Sequence, residues 1–193
     1  MSILKVCRLG HPVLRLESKR VEKDVLSTPA IQTLIDNMME TMVEYSGVGL
    51  AAPQVHESLA IAVIESRGAR GDIPMTVLVN PDITVLDEEF IEDWEGCLSI
   101  PDLRGRVPRW RKLRVDALDR HGKRFELTAE GFAARVVQHE FDHLMGKVYL
   151  DRMRDFKTLT HLAEFQRYWL PQEEPSPSGT RSASPTGRSL DKG

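Results

Sequence analysis

The chain has 193 residues, 41% of them hydrophobic, so it can bury one substantial core, and its length favours a single domain. Its net charge of −3, with both signs interspersed, gives no basic footprint for a direct nucleic-acid role. Two cysteines cannot build a disulfide framework, and no segment is apolar enough over a sufficient length to span a membrane.

In chain order, Thr28-Pro29 opens a helix whose apolar positions Ile31, Leu34, Ile35, Met38, Met39, Met42 and Val43 recur at helical spacing and stop near Gly47. This Met-rich stripe reads as core. The turn Gly47-Val48-Gly49 follows, and its glycines serve either a positive φ or a close approach of substrate backbone. Strand-like runs come next at Leu59–Ile64, Thr76–Val79 and Ile83–Leu86. Leu113–Leu118 alternates, breaks at Asp119–Lys123 and resumes through Arg124–Leu127, which is a hairpin signal.

The segment Val137-Gln138-His139-Glu140-Phe141-Asp142-His143-Leu144 contains the spacing HExxH. On a helix, residues four apart stack on one face, so His139 and His143 can grip one ion while Glu140 reaches a water bound to it. Thr128 is the expected N-cap and Gly146 the expected stop. The trio lies within an otherwise apolar stripe with Phe132 and Val136, an expensive place for polar groups unless an ion or core hydrogen bonds satisfy them. Ala134, Arg135, Gln138 and Asp142 form the opposite, polar face, so Asp142 reads as surface, with a hydrogen bond behind the metal ligands as the alternative. Two helical imidazoles need a third protein ligand and one open position for catalysis. Cys97, between a strand-like run and a proline, is one candidate, and spacing alone does not choose it over Glu95 or Glu164. Cys7 reads as a small buried hydrophobe. A shorter helix is expected around Phe156–Trp169, and strands grouped between helices argue for an α+β fold.

From Pro171 onward, Pro, Ser and Gly supply 12 of the last 23 residues, the composition of a mobile tail; the domain division is therefore 1–170 and 171–193.

Three segments resemble, in order, the signature motifs of peptide deformylases: Gly47-Val48-Gly49-Leu50-Ala51-Ala52-Pro53-Gln54, Glu95-Gly96-Cys97-Leu98-Ser99 and Gln138-His139-Glu140-Phe141-Asp142-His143. The similarity runs from Leu9-Gly10-His11-Pro12 to about Tyr149, begins too early to leave room for a signal peptide, and implies a cytoplasmic enzyme. It implies antiparallel or mixed sheets packed around a central helix carrying HExxH. The implied activity is removal of the formyl group from the initiator methionine of nascent chains, with release of formate. Cys97, His139 and His143 would then be the metal ligands, Glu140 the proton carrier, and the Gln54 amide with the Leu98 N–H the donors to the formyl oxygen. Val48, Gly49, Leu98 and Val136 would line the methionine pocket. Arg104 would guard its entrance, contact substrate carbonyls, or simply be a solvated loop arginine. Glu95 would orient a ligand, with Arg109 as its partner. The family implies Fe²⁺ as the physiological ion, with Zn²⁺, Ni²⁺ or Co²⁺ able to replace it. It also permits a ribosome-contacting extension, for which Arg181, Arg188 and Lys192 are the only support in this tail. The competing classes are a zinc endopeptidase, a cysteine hydrolase using Cys97 and His139, and a non-catalytic peptide binder.

Overall fold

A computed structural model describes residues 2–66 and 73–170. The expected tail, 171–193, lies outside the described residues. A four-residue helix α1 (Lys23–Leu26) precedes α2 (Pro29–Glu44), which starts on Thr28 with proline in its first turn, where a missing N–H costs nothing. Strands β1 (Gly49–Ala51), β2 (Ile61–Ser66), β3 (Ile73–Cys97), β4 (Ile100–Leu118) and β5 (Arg124–Glu130) pair antiparallel, each with the next in sequence. Helix α3 (Phe132–Leu144) follows, then the two-residue strand β6 (Thr160–His161), paired with β4, and α4 (Leu162–Tyr168).

The continuous apolar run in β2 has a simple cause: the strand is covered on both faces. Ala62 and Ile64 pack toward α3 with Leu113, Val115 and Val137, while Ile61 and Val63 pack toward α2 with Ile35, Met38 and Met42. The sheet is thus the middle layer between two helices, and α3 occupies its inner side. The α+β architecture is as expected.

Several local expectations are corrected. Thr76–Val79 and Ile83–Leu86 belong to one strand, β3, whose register against β4 shifts at bulges that the apolar pattern registers as breaks. Thr128 lies within β5, and α3 is instead preceded by Gly131 at φ 59°, a conformation that L residues rarely adopt. Val43, at the margin of the α2 stripe, is 57% exposed. Phe156–Trp169 is a 3-10 turn, β6 and the short α4 rather than one helix. Gly146 stands just past the end of α3 at φ 69°, as a helix stop requires.

Candidate metal centre

Cys97 ends β3, and a two-residue turn of Leu98 and Ser99 returns the chain into β4, with Cys97 opposite Ile100. The hairpin tip therefore places a thiol against the inner face of α3. Cys97 Sγ lies 3.2 Å from His143 Nε2, and one donor atom from each of Cys97, His139 and His143 falls within 4.8 Å of the others, all three residues being strongly buried. Glu95, two residues earlier on β3, accepts from His139 Nδ1 at 2.9 Å, which leaves the other ring nitrogen for the thiol side. Spacing left Glu95 and Glu164 open as third ligands. Glu95 is taken up by His139 and two arginines, and Glu164 is exposed on α4.

The electrostatics suit a cation. Burial alone would raise the Cys97 thiol, but His143 and His139 overcome it and hold Cys97 well below its ordinary value, as a thiolate. Glu140 is buried beside them, and desolvation lifts its carboxyl to about 7 despite the pull of both imidazoles. Its Oε2 has no hydrogen-bond partner among the described residues. A thiolate, two imidazoles and a buried carboxylate oxygen without a partner together fit a borderline divalent ion.

The turn between α2 and β2 supplies the opposite wall. Gln54 sits in a 3-10 turn (Ala52–Val55); its Oε1 accepts from the Ala51 N–H at 2.8 Å, fixing the amide so that Nε2 points to Cys97 Sγ at 3.5 Å and Ser99 Oγ at 3.4 Å. Gly47 and Gly49 are both outside the left-handed region, so the positive-φ reading fails for them. Close approach is the reason at Gly49, where a Cβ would stand 2.2 Å from Glu140 Oε1, although the approaching group is the carboxylate rather than substrate.

The face of α3 expected to meet solvent is buried as well. Asp142 is only 2% exposed, and Arg135 and Gln138 are buried with it. Arg109 on β4 binds Glu95 through Nε and Nη2 at 2.8 and 3.0 Å and Asp142 through Nη1 at 2.5 Å. Arg135 donates to Glu95 at 2.8 Å, and Arg152 donates to Asp142. Burial would raise both acids. For Glu95, His139 and Arg109 reverse this and hold it well below the usual carboxylate range; Arg152 and Arg109 do the same for Asp142. Sequence reasoning found the Glu95–Arg109 pair, preferred a surface place for Asp142 over the supporting bond it has, and missed Arg135 and Arg152. The available signal was three charged or amide side chains on one helix face opposite a strand rich in arginine.

Above the centre opens a cleft of about 660 Å³, lined by Val48, Gly49, Gln54, Leu98, Arg104, Val136 and Glu140 among others. All the expected pocket residues therefore meet in one cavity, Glu95 among them. Arg104 is no free loop residue: it lies on β4, donates to the Leu103 carbonyl at 2.8 Å, and packs so near Gly96 that a Cβ there would stand 2.3 Å from its Nη1. Trp94, Leu162 and Phe165 add an apolar rim that the sequence did not disclose.

A thiolate and an HExxH helix meeting beneath an open cleft define the class: a mononuclear metallohydrolase centre. A family model described as polypeptide deformylase matches residues 3–159. Peptide deformylase 1 of Bordetella pertussis is 46% identical over 155 residues, covering 78% of this chain and 87% of its own length. Peptide deformylase 1 of Nitrosomonas europaea is 44% identical over 160 residues, covering 80% and 90%. A Met-Ala-Ser-bound class I type b peptide deformylase from Acinetobacter baumannii superposes with a TM-score of 0.76 at 37% identity, over 79% of this chain and 99% of that one. For the peptide deformylase from Thermotoga maritima the TM-score is 0.73 at 36% identity, over 80% and 100%. The chain belongs to the polypeptide deformylase family and is a metal-dependent hydrolase.

Proposed function

We propose that this enzyme removes the formyl group from formyl-methionine at the start of nascent polypeptides, releasing formate. The observation that carries the reading is the convergence of Cys97, His139 and His143 beside a carboxyl held near neutrality and a locked Gln54 amide. Cys97, His139 and His143 would hold the ion. When bound, a divalent ion supplies an acidified water and a Lewis acid for the carbonyl oxygen. Glu140 takes the water proton and returns it to the departing amine; a carboxyl poised near the working pH suits both directions. Gln54 Nε2 and the Leu98 N–H donate to the formyl oxygen as negative charge develops there. Glu95 fixes the His139 ring, and Arg109 and Arg135 fix Glu95.

Val48, Gly49, Leu98 and Val136 form the slot for the methionine side chain, and Arg104 contacts the peptide backbone at the mouth. The A. baumannii relative bound to a peptide that begins with methionine supports this use of the cleft. Fe²⁺ is the proposed physiological ion, with Zn²⁺, Ni²⁺ or Co²⁺ as substitutes, since borderline ions share this donor set. Two reduced cysteines suit the cytoplasm. Residues 1–170 are proposed as the catalytic domain, and the basic residues of the tail as a transient ribosome contact.

The cysteine-hydrolase alternative pairs Cys97 with His139, whereas the 3.2 Å contact of the thiol is with His143. One experiment separates the readings. Formyl-Met-Ala-Ser should be hydrolysed while acetyl-Met-Ala-Ser and internal peptide bonds are not, and chelation should abolish the rate. Glu140→Gln should lower kcat by about 10²–10⁴-fold with metal content unchanged. Activity that survives chelation, or an undiminished Glu140→Gln rate, would overturn the proposal.

A further inference from the structure

The chain has two cysteines, and each lies with two imidazoles. Cys97 belongs to the catalytic centre; Cys7 has a separate set. Donor atoms of Cys7, His11 and His56 all fall within 4.8 Å of one another, with the thiol buried and both histidines exposed. The His11 and His56 rings meet edge to face at 4.8 Å. Two short-range contacts hold the thiol in place: the Cys7 N–H donates to the Gln54 carbonyl at 2.8 Å, and Sγ lies 3.4 Å from the Pro53 carbonyl. His56 directly follows that same turn, and His11 precedes the 3-10 turn Pro12–Arg15. Two separate segments thus bring one soft and two borderline donors to a single point at the surface.

We propose that Cys7, His11 and His56 form a second binding site for a borderline transition-metal ion, distinct from the catalytic one and facing solvent. Three protein donors with an open side match the ligand number of an accessible site, water completing the shell. The thiol must lose its proton, which passes to solvent, because the thiolate is the ligand. His11 Nδ1 accepts from the Val13 N–H at 3.2 Å, the long end of such bonds, so little is lost when this exposed ring turns to an ion. Cys7 is not one of the catalytic groups, yet it is bonded to the main chain of Gln54, so the second ion would sit directly behind the turn that carries that amide.

The test starts from enzyme already loaded with Co²⁺ at the catalytic centre and adds further Co²⁺, reading thiolate-to-cobalt absorption and cobalt content after gel filtration. Wild type should take up a second equivalent with a further rise in absorption. The His11→Asn/His56→Asn double variant changes only exposed side chains, so it should fold, keep the first equivalent and its deformylase rate, and lose the second. Cys7→Ser should lose the second absorption increment. Saturation of wild type by a single ion, or an equally tight second ion in the double histidine variant, would refute the site.

Discussion

Glu140 shows how far one side chain's surroundings set its chemistry. Burial holds its carboxyl up to about 7 against two neighbouring imidazoles, and a divalent cation on the same ligand set must pull that value down. A general base works deprotonated, so activity should rise with pH along a limb centred below 7; a kcat/KM profile of the loaded enzyme checks this. The fit around the carboxylate is equally tight. A methyl group on Gly49 would meet Glu140 Oε1 at 2.2 Å, and displacing a reacting group by about 1 Å costs on the order of 10²-fold. Gly49→Ala should therefore lose about that much in kcat while circular dichroism and metal content stay those of wild type. By contrast, Gln54→Ala removes a donor without moving Glu140, and a fall of about 10²–10³-fold in kcat is expected.

Among the elements, α3 departs most from its sequence pattern. Its metal-facing side was legible because HExxH leaves few geometries open. Its other side was not, because amphipathic reasoning equates polar with solvated, whereas Asp142 and Arg135 are neutralised by partners on strands far away in sequence. The long β3 was hidden for a related reason: bulges interrupt the alternation that marks a strand. Glu95 and Cys97 share β3 and Arg109 lies on β4, so the β3–β4 hairpin and the helix are joined by buried charge pairs. Removing one partner of such a set strands the others. Arg109→Met should destabilise the protein by about 3–5 kcal/mol, measured by urea unfolding. Asp142 has a depressed folded value, so its contribution is present above the unfolded carboxylate value of about 3.9 and is lost as pH falls through the folded value. Without Arg109 that depression shrinks, and the acid-unfolding midpoint should move to higher pH.

At the scale of the whole molecule, the sheet is a wall between two helices, and the ion would tie its central hairpin to one of them. Anything bound only by the folded state stabilises it, so stripping the metal should lower the melting temperature as well as abolish activity. With Fe²⁺ in place, activity should decay faster in air than under argon, because ion and thiolate both oxidise; equal lifetimes would point to another ion. Among the described residues no helix is long and apolar enough to cross a membrane.

The order of the strands has one more consequence. Each of β1 to β5 pairs with its neighbour in sequence, so the wall can zip up as it is made, from contacts that close short loops. The imidazoles arrive only afterwards, 46 positions beyond the thiol in the case of His143. A chain still leaving the ribosome before that point holds only one of the three catalytic donors, the thiolate of Cys97. The catalytic ion can therefore be gripped in full only after the wall that carries its thiolate has been made.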